Sequence, residues 1–157
     1  MNDASHNHGP VTVRAVAASE VRPLRHAVLR PGRPLAAGNF PGDDDPTTRH
    51  FAAYRGAALL GVASVYRAEL PELSGVPAIQ LRGMAVEPDA RSSGIGRQLI
   101  HACESFTREN GVALLWCNAR VTALGFYRKL GFEIVSAEFE IPDVGPHFRM
   151  ALRLAKA

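Results

Sequence analysis

The residues from Arg91 to Arg97 have the types and spacing to grip an anion. Gly94 and Gly96 open a segment whose apolar residues, Ile95, Leu99, Ile100, Cys103 and Phe106, fall on one face of a helix. The first turn of a helix leaves backbone N–H groups without intrahelical partners, and their dipole suits a phosphate or diphosphate lying in front of them. The two glycines remove side chains that would hold such a group away, while Arg91 and Arg97 add fixed positive charge. A dinucleotide-binding loop would need a third glycine where Leu99 stands, and no nucleoside-triphosphate loop ending in Gly-Lys-Ser or Gly-Lys-Thr occurs. The expected ligand is an anionic cofactor of another kind.

The elements that must position this loop read clearly. The apolar run Ile79–Val86 predicts a buried strand, closed by Glu87, Pro88 and Asp89, and the helix behind the glycines is expected to end near Asn110 with Gly111 as its cap. Upstream, Val11–Ala17 predicts a strand. Ser19 is the expected N-cap of a helix carrying Val21, Leu24, Ala27 and Val28, with Pro23 in its first turn. Residues 31–48 form a Pro- and Gly-rich connection holding Asp43, Asp44 and Asp45, either a solvated loop or a lid whose carboxylates attract a cationic substrate. Strands near His50–Tyr54 and Ala58–Tyr66 are expected as a hairpin, and a further loop contains Pro71, Gly75 and Pro77. Val112–Cys117 predicts a strand covered on both faces, Thr122–Leu130 a short helix, and Phe132–Ile141 and His147–Leu154 the closing strands.

Composition narrows the class. The 157 residues suit one domain: a frayed tail over residues 1–10, then a single domain over 11–157. A net charge of +3 with basic residues spread along the chain argues against a nucleic-acid binder. No run is long enough to span a bilayer and no secretory signal is evident. Cys103 and Cys117 read as buried thiols rather than a disulfide framework, so a cytoplasmic location is expected. No metal is expected: His6 and His8 lack a third ligand, and no Cys/His pair has ligand spacing.

Arg91-x-x-Gly94-x-Gly96 between a strand and a helix resembles motif A of the GNAT superfamily of N-acetyltransferases. Asn118 through Phe132, with Phe126, Tyr127, Gly131 and Phe132 in the spacing Phe-Tyr-x-x-x-Gly-Phe, resembles a second GNAT segment. Glu138–Met150 is similar to the closing strands of one GNAT subgroup, and Leu29–Gly32 to its first helix and loop. The resemblance runs in order over about residues 11–154. It implies an α+β fold: a mixed, mostly antiparallel sheet of about seven strands, splayed between the fourth and fifth, with about four flanking helices.

The resemblance further implies an enzyme moving an acetyl group from acetyl-CoA to a primary amine of a small molecule or peptide. Met84, Ala85 and Val86 would bond the pantetheine through the main chain, with Gly83 as a bulge. Arg91, Ser92, Ser93, Gly94, Ile95, Gly96 and Arg97 would hold the diphosphate. Asn118 would bind the pantetheine or cap the next helix. Tyr127 would be the general acid toward the departing sulfur, or else an aromatic packed beside Leu124 and Leu130. His147, on the face of its strand opposite Phe148, Met150, Leu152 and Leu154, is the candidate base, ahead of His50 and Glu87, or else an ordinary surface or hydrogen-bonded histidine. Homodimers are common in the family. The competing reading is a non-catalytic acyl-CoA-binding or sensing domain; a nucleotide-binding domain with a variant loop is a third.

Overall fold

A computed structural model of the protein describes residues 9–155. The histidines of the N-terminal tail, His6 and His8, and most of the tail itself lie outside the described residues. The elements run β1 (Val11–Val16), α1 (Ala18–Leu29), β2 (Arg49–Arg55), β3 (Ala58–Arg67), β4 (Ile79–Val86), α2 (Ile95–Glu109), β5 (Leu114–Arg120), α3 (Leu124–Lys129), β6 (Glu133–Ile134), β7 (Phe139–Ile141) and β8 (Gly145–Arg153). The hydrogen-bonded strand order is β1-β2-β3-β4-β5-β8-β6, with β7 also on β8. The β4–β5 pair is parallel, whereas β1–β2, β5–β8, β6–β8 and β7–β8 are antiparallel. The expected mixed, mostly antiparallel α+β fold is therefore present, with eight strands and, among the described residues, three α-helices. None of these helices is long and apolar enough to cross a membrane.

The chain divides into two compact units. The first holds the residues up to Ser64 together with Gly83–Ala102. Its core gathers Val21 and Leu24 of α1 with Ala52, Val62 and Ala85. Gly61 on β3 lets the start of α2 lie close, because a Cβ there would stand 2.9 Å from Ile95 and 3.0 Å from Leu99. Ala17, not Ser19, precedes α1 and makes no side-chain cap, and Pro23 falls inside the helix past its first turn. Beginning at Ala18 moves the proline inward, to a position where its ring crowds the preceding turn.

The second unit holds Val65–Arg82 and the residues from Cys103 onward. Leu70, Ala78, Leu114, Trp116 and Ala151 form its core, and Trp116 Nε1 donates to the Ala68 carbonyl at 2.8 Å. The β4–β5 ladder runs from Ile79–Leu115 to Leu81–Cys117 and then ends, although β4 continues to Val86 and β5 to Arg120. Gly111, at φ +69°, donates its N–H to Arg108 O and closes α2 as expected.

The eighth strand arises where one was expected over Phe132–Ile141. There β8 meets two fragments, β6 and β7. Between them the Ser136 hydroxyl oxygen accepts the Arg149 N–H at 2.8 Å, taking the place of a ladder carbonyl.

Candidate acetyl-transfer site

In the first unit, β4 delivers Met84, Ala85 and Val86, and Glu87 N closes the strand by donating to Leu60 O at 2.8 Å. Ala85 is buried, while Met84 and Val86 are half-buried. Gly83 sits at φ +66°, a left-handed kink inside a strand. A 3-10 turn at Pro88–Ala90 then leads to Arg91, Ser92, Ser93 and Gly94, all exposed.

Ser92 and Gly94 both take left-handed backbone, φ +65° and +84°. Alternation of left-handed and ordinary backbone can turn successive N–H groups toward one side, the geometry of an anion nest. The Ser93 hydroxyl donates to Ala90 O and braces the loop from within. α2 starts at Ile95, and its first intrahelical acceptor is Gly94 O, bonded by Gln98 N at 3.1 Å. The amides of the first turn therefore lack intrahelical partners. A Cβ at Gly94 would have no heavy atom within 4 Å, so the space in front of the loop is open. Ile95 is buried and anchors the turn, whereas Arg97 is exposed. These features fit a diphosphate: donors, positive charge and room, with an apolar anchor beneath.

The second unit carries the remaining predicted residues. Asn118 is exposed inside β5, opposite Arg149 in register, and its side chain caps neither the turn at Val121–Ala123 nor α3. The capping alternative is thereby removed. Tyr127 on α3 is buried, with Phe126 and Phe132 edge-on at 5.0 and 5.3 Å between ring centroids. The Cys117 thiol neighbours its phenol. Burial first, then the neighbouring Cys117 and Cys103 thiols, push the Tyr127 pKa well above its ordinary value. Burial also lifts Cys117 to about 12, against the opposing pull of Tyr127, and pushes Cys103 higher still. Both thiols are free, buried and inert as nucleophiles at neutral pH.

His147, on β8 opposite Arg120, is buried rather than lying on an open face, and it stacks on Phe139 with centroids 6.0 Å apart. Its Nδ1 lies 2.7 Å from Gly145 O. A carbonyl only accepts, so Nδ1 carries the hydrogen, and the lone pair of the neutral ring resides on Nε2. His50 differs. Nε2 donates to Asp43 O at 2.9 Å and Nδ1 meets Ser64 Oγ at 2.6 Å, so both nitrogens are committed and it offers no base.

Of the acidic trio, only Asp43 is turned inward, while Asp44 and Asp45 stay exposed. Asp43 is buried, and its carboxylate accepts from Arg25 Nη1 at 2.8 Å and Phe40 N at 3.0 Å. Asp44 faces Arg22 at 3.3 Å. Asp45 accepts from Thr47 N and Oγ1, bonds that hold its carboxyl below the usual range.

The family model of the GNAT acetyltransferase domain matches residues 38–154. The chain belongs to the GNAT acetyltransferases. It is 31% identical over 138 residues to the uncharacterised N-acetyltransferase YitI of Bacillus subtilis, covering 88% of this chain and 93% of that protein. Among solved structures it resembles FeeM, an N-acyl amino acid synthase from uncultured soil microbes, with TM-score 0.76, 16% identity, and coverage of 94% and 92%. An aminoglycoside 6'-N-acetyltransferase complexed with coenzyme A gives TM-score 0.73 and 14% identity, covering 93% of this chain and 98% of that one.

This GNAT chain is thus an acyltransferase. Sequence reasoning missed the part played by Arg25, which is fully buried and tied to Asp43, Gly38 and Ser64. Nothing in the periodicity of α1 separates it from a surface arginine. Gly61 was equally silent, although its small size lets α2 approach.

Proposed function

We propose that this acyltransferase moves an acetyl group from acetyl-CoA to a primary amine by direct attack, and that residues 11–157 act as one acetyltransferase domain. The observation that carries the reading is the left-handed backbone at Ser92 and Gly94 leading into the first turn of α2. Arg91, Ser92, Ser93, Gly94, Ile95, Gly96 and Arg97 hold the diphosphate, chiefly through backbone N–H groups. Met84, Ala85 and Val86 bond the pantetheine and point an amide at the thioester carbonyl, a preorganised donor whose value grows as charge develops there. Asn118 contributes its exposed amide to the pantetheine.

Acetyl-CoA, when bound, supplies the acyl group as an activated thioester. Tyr127 holds its proton throughout the working pH range, as its raised pKa requires, and offers it to the departing sulfur as general acid. His147 Nε2 takes the proton that the amine must lose before attack, while Nδ1–H on Gly145 O fixes the ring. Two free buried thiols are in keeping with work in the cytoplasm.

The relatives span different acceptors on one fold, so the amine is set by local side chains rather than by the fold. A panel of amines incubated with acetyl-CoA, followed by mass spectrometry and free-thiol release, tests the proposal. Acetylated product with matching thiol release is expected. Failure of the protein to bind acetyl-CoA in calorimetry would overturn it.

A further inference from the structure

Gly83 is constrained twice. Its φ of +66° disfavours any residue with a Cβ, and the space that a Cβ would fill is already taken. Such an atom would lie 2.8 Å from Arg25 Nε and 3.2 Å from Phe40 Cε2. The kink of β4 is thus moulded against a guanidinium and the edge of an aromatic ring.

Neither neighbour is free to drift. The Arg25 guanidinium lies over the Phe40 ring at 4.1 Å. Nη1 donates to Asp43 Oδ2 at 2.8 Å and to Gly38 O at 2.9 Å, while Nη2 donates to Ser64 Oγ at 2.8 Å. Asp43 holds Phe40 in turn through the Phe40 N–H. His50 takes the remaining directions, donating from Nε2 to Asp43 O and receiving the Ser64 hydroxyl proton on Nδ1. One buried cation therefore joins α1, the 31–48 connection, β2 and β3 to the point where β4 turns. A buried ion pair is an inefficient source of stability compared with apolar packing, and fixing a geometry is its better-attested use.

We propose that Arg25 is a positioning residue: through its contact with Gly83 it fixes the kink of β4, and so the direction of the Met84–Val86 amides. The inference rests on the role given to those amides above. The planar fork of arginine is needed, because three acceptors and a ring face are met at once; a lysine ammonium keeps the charge but cannot lie flat on Phe40 or span Asp43 and Ser64 together.

The test uses the full chain and acetyl-CoA isotopically labelled at the acetyl carbonyl. On wild-type protein, isotope-edited infrared should show the bound carbonyl stretch below its value in solution, the signature of a polarising amide. In Arg25→Lys the band should move back toward the solution value. Affinity for CoA should fall by less than about tenfold, the pantetheine bonds to the redirected amides weakening while the diphosphate contacts are untouched. Turnover on the best amine of the panel should fall about 10–100-fold, the penalty expected for small misplacements. Leu70→Ala, destabilised in the core of the second unit, controls for lost stability and should leave the band in place. Should Arg25→Lys fail to fold, Ser64→Ala removes one guanidinium acceptor, keeps the charge pair, and carries the same expectation to a smaller extent.

A folded Arg25→Lys or Ser64→Ala protein with the wild-type band and turnover overturns the inference alone. So does a band that Leu70→Ala shifts as far as Arg25→Lys does. Wild-type protein that binds no acetyl-CoA overturns the proposed function, and this inference with it.

Discussion

Tyr127→Phe deletes one oxygen and leaves the ring between Phe126 and Phe132. The most the hydroxyl can lend the fold is one neutral hydrogen bond to a weak partner such as the neighbouring Cys117 thiol, worth about 0.5–1.5 kcal/mol and toward the lower end. A domain of ordinary stability holds about 5–15 kcal/mol. For unfolding alone to remove 99% of the activity, the balance would have to reach about −2.7 kcal/mol, a loss of roughly 8 kcal/mol or more from even the weakest such domain. The hydroxyl cannot account for a loss of that size. If the phenol donates to the departing sulfur, turnover falls about 10²–10⁴-fold while the protein stays folded. Urea unfolding and thiol release, measured on one preparation, separate the two effects. A phenylalanine variant with turnover within about twofold of wild type, and stability lowered by about 1 kcal/mol, refutes the acid role and leaves Tyr127 as packing.

The base has its own test in His147→Asn. Asparagine keeps a donor where Nδ1–H meets Gly145 O but has no counterpart to Nε2, so turnover should drop with little change in urea midpoint; an active variant removes His147 from the chemistry. Gly94→Val forces a β-branched residue into φ +84° and fills open space before α2. Calorimetry should show CoA affinity lost by at least about tenfold, with about 1–2 kcal/mol of stability from the backbone strain. Equal losses in Gly111→Val, also left-handed but at the far end of the helix, would contradict the nest. Cys103, Cys117 and Tyr127 are all shifted upward by burial, so the folded state favours their protonated forms. Their stabilisation is complete below the unfolded thiol value of about 8.5 and is lost as pH rises toward about 12. Urea midpoints should decline over that alkaline range, and thiol reagents should find both cysteines only after denaturation.

The parts of the fold legible in the sequence are those where one pattern decides alone. β4 was expected over Ile79–Val86 and is found there, because a continuous apolar run bounded by Glu87 and Pro88 admits little else. α2 followed from its apolar face and its two terminal glycines. Boundaries failed where tertiary partners compete with local signals. Ser19 looked like a cap, but extended backbone at Ala17 starts the helix earlier. The run from Phe132 to Ile141 broke because Ser136 reaches across to Arg149 N, a contact that no alternation encodes. The turn into α2 was legible from Gly94 and Gly96, whereas the left-handed backbone of Ser92 was not. Nor was the burial of Asp43, since its partner Arg25 lies 18 residues away on a helix of unremarkable pattern. A row of acids reads as surface charge until the cation that neutralises one of them is placed.

The break at Ser136 also bears on how open the edge of the sheet is to fibril-like pairing. β8 runs for nine residues, and its flank away from β5 is shielded by pieces only two and three residues long. A single long companion would present solvent with an unbroken rail of donors and acceptors, the template on which foreign strands zip into fibrils. Two stubs with a hydroxyl between them offer an incoming chain too few rungs to hold.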